Sequence, residues 1–193
     1  MSSQESGPPQ PHRSGVALPS EILSGIGTGL MALPRFLRLM LPLVWGAGLW
    51  WLSAQPGPGP GILENDAFLQ CWTFNTGHAF LYGILALLCA ACLPSREGWV
   101  VLNRGRFLWI LGLVMAYGLI DELHQSWVPY RSASGLDLLT DLVGASATLA
   151  VIFHLGKQSA EDPVAHATHL RRLLWIGLIL SWAAGLAATV LDT

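Results

Sequence analysis

Long apolar runs alternate with short polar or Pro- and Gly-rich links along this chain of 193 residues. Five of the runs come close to the roughly 20 residues that an α-helix needs to cross the hydrocarbon core of a bilayer. They cover about residues 36–54, 77–93, 107–127, 136–155 and 173–191. The pattern therefore predicts an all-α fold, a polytopic membrane helix bundle with about five transmembrane helices and residues 35–193 as its transmembrane domain.

The first 34 residues do not follow the spanning pattern. Residues 1–19 are rich in Ser, Pro, Gln and Gly, which predicts a disordered tail, and they lack the layout of a cleaved signal peptide. Residues 20–34 begin with the N-cap type Ser20 and carry Gly25 and Gly29 four positions apart. An interfacial helix is the favoured interpretation of this segment, and helix association through the two glycines is the alternative.

Composition and charge place the chain in a membrane and orient it. Hydrophobic residues make up 52% and charged residues 11%, and the net charge of −2 gives no electrostatic basis for binding nucleic acid. Nine of the ten basic residues fall on one side of the predicted spans: Arg13, Arg35, Arg38, Arg96, Arg104, Arg106, Lys157, Arg171 and Arg172. The positive-inside rule then predicts a cytoplasmic N-terminus and an outer C-terminus.

The third predicted span is too short to cross a bilayer with apolar residues alone. Its uninterrupted apolar run, residues 107–120, covers roughly 21 Å of a core about 30 Å thick. The next residues are Asp121 and Glu122, so we expect both acids to lie below the outer headgroups. Ionisable groups at this depth are costly, and they mark functional sites by default.

Polar residues of three spans and one link are predicted to form a pocket at the outer end of the bundle. The candidate ligand-binding residues are His78, Tyr82, Asp121, Glu122, Gln125, Arg131, Asp137 and Asp141. Residues three and four apart share a helix face, and these faces should meet because lipid would leave them without partners. Arg131 is the predicted counterion of a carboxylate. Ser134 and Asp137 have the spacing of a helix capping box.

The charges of this pocket do not balance. Four acids face Arg131 alone, so a low-dielectric site requires a protonated carboxyl, a charged His78 or His124, a cationic ligand group or a metal ion. The candidates for catalysis are Asp121, Glu122, His78 and Asp137, and those for a divalent cation are Glu122, Asp137 and Asp141. A buried network that locks three helices together explains the same residues equally well.

The remaining histidines carry weaker hypotheses. His124 is expected to face solvent at the end of its helix. His166 and His169 have a spacing that could hold a metal, but no further ligand is close in sequence. A solvated inner loop is the better interpretation of that pair.

Three sequence blocks carry a resemblance to a known family. The stretch DELHQSWVPYRSASGLDLLTDLVG, residues 121–144, resembles the signature of the VanZ-like family, in which an acid-rich helix end is followed by a Pro-x-Arg turn and an Asp. LSAQPGP after span one and NTGHAFLYGILALL opening span two are similar to two further family blocks. The resemblance covers roughly residues 43–155. Two positions depart from it, since Tyr130 replaces the usual Gly and Asp141 stands where Asn is common.

The resemblance implies a multi-pass protein of the bacterial inner membrane, in a family whose name-giving member is linked to low-level teicoplanin resistance. The first hypothesis is a protein that recognises or modifies an envelope component, such as a lipid-linked precursor or a glycopeptide. The second is a membrane-embedded, metal-assisted hydrolase or transferase acting on a lipid-linked substrate. A proton-linked carrier is the third, and it is least favoured because the sequence shows no inverted repeat or broken helix.

Overall fold

The computed structural model describes residues 19–56, 67–96, 99–131, 134–156 and 163–191. Its helices are α1 Pro19–Ala32, α2 Arg35–Ser53, α3 Ala67–Ala91, α4 Arg104–Gln125, α5 Gly135–Leu155 and α6 Pro163–Leu191. An antiparallel hairpin of β1 (Ser95–Arg96) and β2 (Trp99–Val100) joins α3 to α4, with Ser95 opposite Val100. The predicted disordered tail, residues 1–19, lies outside the described residues except for its last position.

Five of these helices, α2 to α6, are long and apolar enough to cross a membrane. Their outward faces carry large apolar side chains, and Val44, Trp109 and Ile179 are each more than 60% exposed. A soluble protein would bury such residues, whereas lipid solvates them. The prediction of an all-α bundle with five spans is confirmed, and the orientation of the termini stays a prediction.

Helix α3 lies at the centre of the bundle and contacts α2, α4, α5 and α6. It crosses α5 closely because Gly144 lies directly against the backbone of Ala79, where a Cβ atom would overlap the Ala79 carbonyl. Tyr82 and Leu149 are fully buried in the core that this crossing forms. The polar residues of α3 are therefore held inside the bundle.

Helix α1, with 14 residues, is about 21 Å long and too short to span a bilayer. It packs through Gly27 against the ring of Trp99, while Gly25 and Gly29 face open space. Within the described residues, helix association through Gly25 and Gly29 therefore has no contact to support it. The interfacial position of α1 stays a prediction.

Helix α6 begins earlier than the fifth predicted span. It starts at Pro163, so His166 and His169 lie in its first turns and the prediction of a solvated loop for them is wrong. His166 is buried, and its ring stacks on that of His154 with centroids 4.3 Å apart.

Candidate functional site

The last turns of α4 bury one polar face and expose one apolar face. Asp121, Glu122 and Gln125 are at most 5% exposed, whereas Ile120 and Leu123 are more than half exposed. Gln125 lies four positions after Asp121 and three after Glu122, so it shares a face with each acid, and this side of the helix meets α3 and α5. The predicted placement of these polar groups inside the bundle matches this geometry.

Asp121 is the centre of a chain of hydrogen bonds that runs to the bundle surface. Its Oδ2 accepts from the Tyr82 hydroxyl at 3.3 Å and from Gln125 Nε2 at 2.9 Å. Gln125 Oε1 in turn accepts from Arg131 Nη1 at 3.2 Å. The two contacts of the Gln125 amide fix which of its ends donates and which accepts.

Arg131 is connected to the acids through Gln125 rather than by direct pairing. Its Nε donates to the backbone oxygen of Gln55 at 3.2 Å, while Nη1 is used by Gln125. Among the described residues it forms no ion pair with a carboxylate, so the predicted role of direct counterion is not what the structure shows. The reason is geometric, because the turn after α4 carries Arg131 above the helix end and leaves Gln125 in between.

His78 and Asp141 form a second polar contact, between α3 and α5. His78 Nδ1 lies 3.2 Å from Asp141 Oδ1, and the Asp141 side chain is completely buried. Gly118 of α4 lies beside Asp141, where a Cβ atom would come within 2.9 Å of Oδ2. Three helices therefore converge on this carboxylate, as the sequence spacing predicted for the polar faces.

Glu122 stabilises the start of α5. Ser134 is the N-cap residue, and its Oγ accepts from the N–H groups of Leu136 at 3.1 Å and Asp137 at 3.4 Å, which is the Ser134 half of the predicted capping box. The Ser134 N–H donates to Glu122 Oε2 at 2.7 Å. A carboxylate from α4 thus contributes to the cap of α5 and ties the two helices together.

Asp137 lies in the first turn of α5 and is half-buried. Its carbonyl oxygen accepts from the Thr140 hydroxyl at 2.7 Å. Within the described part of the chain, no group of three His, Cys, Asp or Glu side chains is placed to hold a metal ion. The candidate cation ligands Glu122, Asp137 and Asp141 therefore do not form a ligand set in the described residues.

A cavity of about 140 Å³ opens between α2, α3 and α4, beside the Asp121 chain of hydrogen bonds. Its polar lining residues are Ser53, Thr73, His78, Tyr82, Asp121, Gln125 and Arg131. Leu49, Leu52, Phe74 and Leu81 form apolar walls. Asp121 Oδ1 is buried and has no hydrogen-bond partner in the described residues. A residue that lines the cavity therefore has a buried carboxylate oxygen that is able to accept a hydrogen bond.

The contribution of α2 to the site was not predicted. Ser53 lines the cavity, and its Oγ lies 3.3 Å from Nδ1 of His124. His124 stacks on Trp50 with centroids 3.9 Å apart, so it packs against α2 instead of facing solvent as expected. The block LSAQPGP contains both Ser53 and Gln55, and it was the available indication that α2 reaches the site.

Comparison with known proteins gives one match. The sequence model of the VanZ/LLP1 family matches residues 12–156, about three quarters of the chain, and this range includes every candidate site residue. No curated protein and no solved structure matches the chain. The matched length is sufficient to show the family. The chain belongs to the VanZ/LLP1 family.

Proposed function

We propose that this multi-pass membrane protein recognises a cell-envelope component by binding one small polar group of its headgroup in the cavity of about 140 Å³ between α2, α3 and α4. The observation that carries the proposal is the Asp121 carboxylate, which is 3% exposed and lines the cavity with an unpartnered oxygen among the described residues. A buried acceptor without a partner costs about 1–3 kcal/mol, and more when it is charged. A ligand that donates a hydrogen bond there recovers this cost.

The lining indicates what kind of ligand fits. A hydroxyl or ammonium group suits Asp121 Oδ1, and Arg131 at the same cavity suits an anionic oxygen. Leu52 and Phe74 are exposed apolar residues, so the walls continue into the lipid-facing surface. These features favour an amphiphile with a polar headgroup that both donates and accepts hydrogen bonds.

A lipid-linked peptidoglycan precursor and a glycopeptide antibiotic both offer such groups. Sugar hydroxyls, amines and, in the precursor, phosphates would meet the cavity lining, while the lipid part would remain in the bilayer. Membership of the VanZ/LLP1 family supports a link to teicoplanin susceptibility. The proposal places the site on the outer face, as the distribution of basic residues predicts.

Binding by the purified protein in lipid nanodiscs tests the proposal. The probes are fluorescently labelled teicoplanin and a dansylated lipid-linked disaccharide pentapeptide. Asp121→Asn should weaken binding of the recognised probe about tenfold or more, because a hydrogen bond to a charged group contributes about 1.5–3 kcal/mol. Ser126→Ala is the matched control, since this exposed hydroxyl bonds only to the backbone of its own helix, at Leu123.

The same variants should be compared in a teicoplanin-susceptible bacterium by their minimal inhibitory concentrations. Wild-type protein and Ser126→Ala should raise the teicoplanin concentration needed, and Asp121→Asn should not. Folding is checked by gel filtration and by thermal unfolding of each variant. If folded Asp121→Asn binds both probes as tightly as the wild type, the cavity is not the recognition site.

A catalytic role is the second candidate, and the His78–Asp141 contact favours it. Asp141 engages Nδ1, which leaves Nε2 of the cavity-lining His78 for a ligand. A carboxylate that orients an imidazole in this way is the arrangement of a general base. In this hypothesis Arg131 would hold a phosphate of a lipid-linked substrate. Hydrolysis of the phosphoanhydride bond by water would yield a lipid monophosphate and a sugar phosphate, so His78→Gln should abolish the formation of both products while retaining binding of the precursor.

A further inference from the structure

A second cavity lies at the opposite end of the bundle from the site. It is a groove of about 460 Å³ between α4, α5 and α6. Its lining residues are Arg104, Phe107, Leu108, Ala150, Phe153, His154 and Leu173. Arg104 opens α4 and His154 ends α5, whereas the acids lie at the other ends of both helices. The groove is therefore apolar along its walls and basic at one end.

Arg104 is placed to bind an anion. Its side chain is exposed and makes no hydrogen bond or ion pair with any residue that the structure describes. It is the first residue of α4, close to the positive end of the helix dipole. The N-cap Asn103 accepts from the N–H of Arg106, which shows that the helix begins here with a formed cap.

His154 adds a second nitrogen-bearing group at this end. Its Nε2 donates to the backbone oxygen of His166 at 3.3 Å, and the two rings stack. The ring of His169 lies 6.0 Å away from that of His154. These contacts fix the His154 ring at the groove. Because Nε2 carries the proton of this hydrogen bond, Nδ1 of the neutral ring is left as an acceptor for a hydroxyl group of a ligand.

Three further arginines lie near this end of the groove but do not line it. Arg106, Arg171 and Arg172 belong to the same end of the bundle. The groove therefore combines an exposed guanidinium with an apolar wall.

We propose that this groove binds an anionic phospholipid, with its phosphate at Arg104, a headgroup hydroxyl at His154 Nδ1 and an acyl chain along the apolar wall. The wall faces the membrane, since Leu108 is 65% exposed and the adjacent Trp109 is 71% exposed. A volume of about 460 Å³ lies within the range of roughly 300–1,000 Å³ that is typical of ligand pockets. A soluble phosphate would use the basic end alone, so the apolar wall favours a lipid.

Lipid binding to the full chain in detergent tests the proposal by native mass spectrometry. The probes are phosphatidylglycerol, phosphatidylcholine with the same acyl chains, and inorganic phosphate. Phosphatidylglycerol should bind the wild type more tightly than phosphatidylcholine does. Arg104→Gln should weaken the binding of phosphatidylglycerol about tenfold or more, because the substitution removes a charged hydrogen-bond donor. Phosphatidylcholine binding should change little.

Two further variants separate the parts of the site. Arg171→Gln is the matched control, since Arg171 lies about 200° around α6 from the groove residue Leu173 and should leave binding unchanged. Ala150→Leu narrows the apolar part of the groove without altering charge, so it should weaken the binding of phosphatidylglycerol. Both positions are partly accessible, and thermal unfolding confirms that each variant is folded.

Three outcomes would overturn the proposal. Equal binding of both phospholipids would show that charge does not select the lipid. An equal loss of phosphatidylglycerol affinity in Arg104→Gln and Arg171→Gln would show that the lipid is attracted by the overall positive charge and not by a specific site. If inorganic phosphate displaces phosphatidylglycerol, and Ala150→Leu binds phosphatidylglycerol as tightly as the wild type, the basic end binds free phosphate and the apolar wall binds no lipid.

Discussion

Replacing Gly118 with Ala should destabilise the bundle at the point where α3, α4 and α5 converge. An added Cβ would lie 2.9 Å from Asp141 Oδ2, 3.1 Å from Leu138 Cδ1 and 3.3 Å from Tyr82 Cε1. Ordinary contacts begin near 3.4 Å, so the three neighbours are too close by about 0.5, 0.3 and 0.1 Å. Leu138 is able to move, but Asp141 is held by His78 and Tyr82 is fully buried.

The expected magnitude follows from two opposing effects. Overpacking of a filled core costs about 1–3 kcal/mol. Gly to Ala within a helix gains about 1 kcal/mol from backbone entropy. Gly112 lies on the same helix and has no atom within 4 Å of its would-be Cβ, so Gly112→Ala shows the gain alone. The difference between the two variants, about 1–3 kcal/mol, therefore measures the packing cost.

Unfolding by sodium dodecyl sulfate in mixed micelles, followed by tryptophan fluorescence, gives the free energies of unfolding. Gly112→Ala should be at least as stable as the wild type, and Gly118→Ala should be less stable than Gly112→Ala. Equal shifts for the two variants would refute the convergence of the three helices at Asp141. Binding of the envelope probes by Gly118→Ala provides a second measurement. A displaced Asp141 would change the position of the His78 ring that lines the cavity.

Three other predictions concern the turn, the buried pair and the orientation. Tyr130 has a positive φ of 60°, which strains a residue with a Cβ atom, and it is 68% exposed. Tyr130→Gly should therefore leave the free energy of unfolding unchanged or raise it by up to about 1 kcal/mol in the same assay. A clear loss of stability would show that the Tyr130 backbone is not strained. A double-mutant cycle of His78→Gln and Asp141→Asn should give a coupling energy of about 0.5–3 kcal/mol, whereas additive losses would show no direct interaction. Trp127→Cys, with the three native cysteines replaced by Ala, should react with an impermeant maleimide on intact cells; reaction only in inverted vesicles would reverse the predicted orientation.

Much of the architecture could be predicted because lipid imposes strong constraints on the sequence. A span needs a long apolar run, and any polar group within it must face protein. These two rules locate five helices and the polar faces of α3, α4 and α5. The N-cap at Ser134 could also be predicted, since a hydroxyl at that position satisfies the first free N–H groups of a helix.

The pairing within the site could not be predicted, because spacing along a helix gives a face but not a partner. Arg131 was expected on a carboxylate, yet the turn geometry directs it to Gln125 and to the Gln55 carbonyl. The glycine contact of α1 shows the same limit. The spacing of Gly25 and Gly29 suggested an interface, whereas Gly27 makes the close contact with Trp99.

The structure explains what two departures from the VanZ-like sequence pattern, Tyr130 and Asp141, change physically. The usual Gly at position 130 of the VanZ-like turn fits the positive φ that Tyr130 adopts here, since Gly has no Cβ to strain. Asp141, which stands where Asn is common, provides a carboxylate for His78. An Asn oxygen could still accept from the imidazole, but it would carry no charge.

The two adjacent acids of α4 have different roles, one structural and the other in the proposed binding site. Glu122 accepts the Ser134 N–H at 2.7 Å and so ties α5 to α4, which makes it a structural residue whatever the protein binds. Asp121 bonds only to side chains in the described residues and lines the cavity, which Glu122 does not. Each acid keeps one buried oxygen without a partner in the described residues. Because a helical turn holds both side chains at the same depth, burial alone cannot explain the difference between them. The acid that faces the cavity is the one whose loss should separate binding from folding.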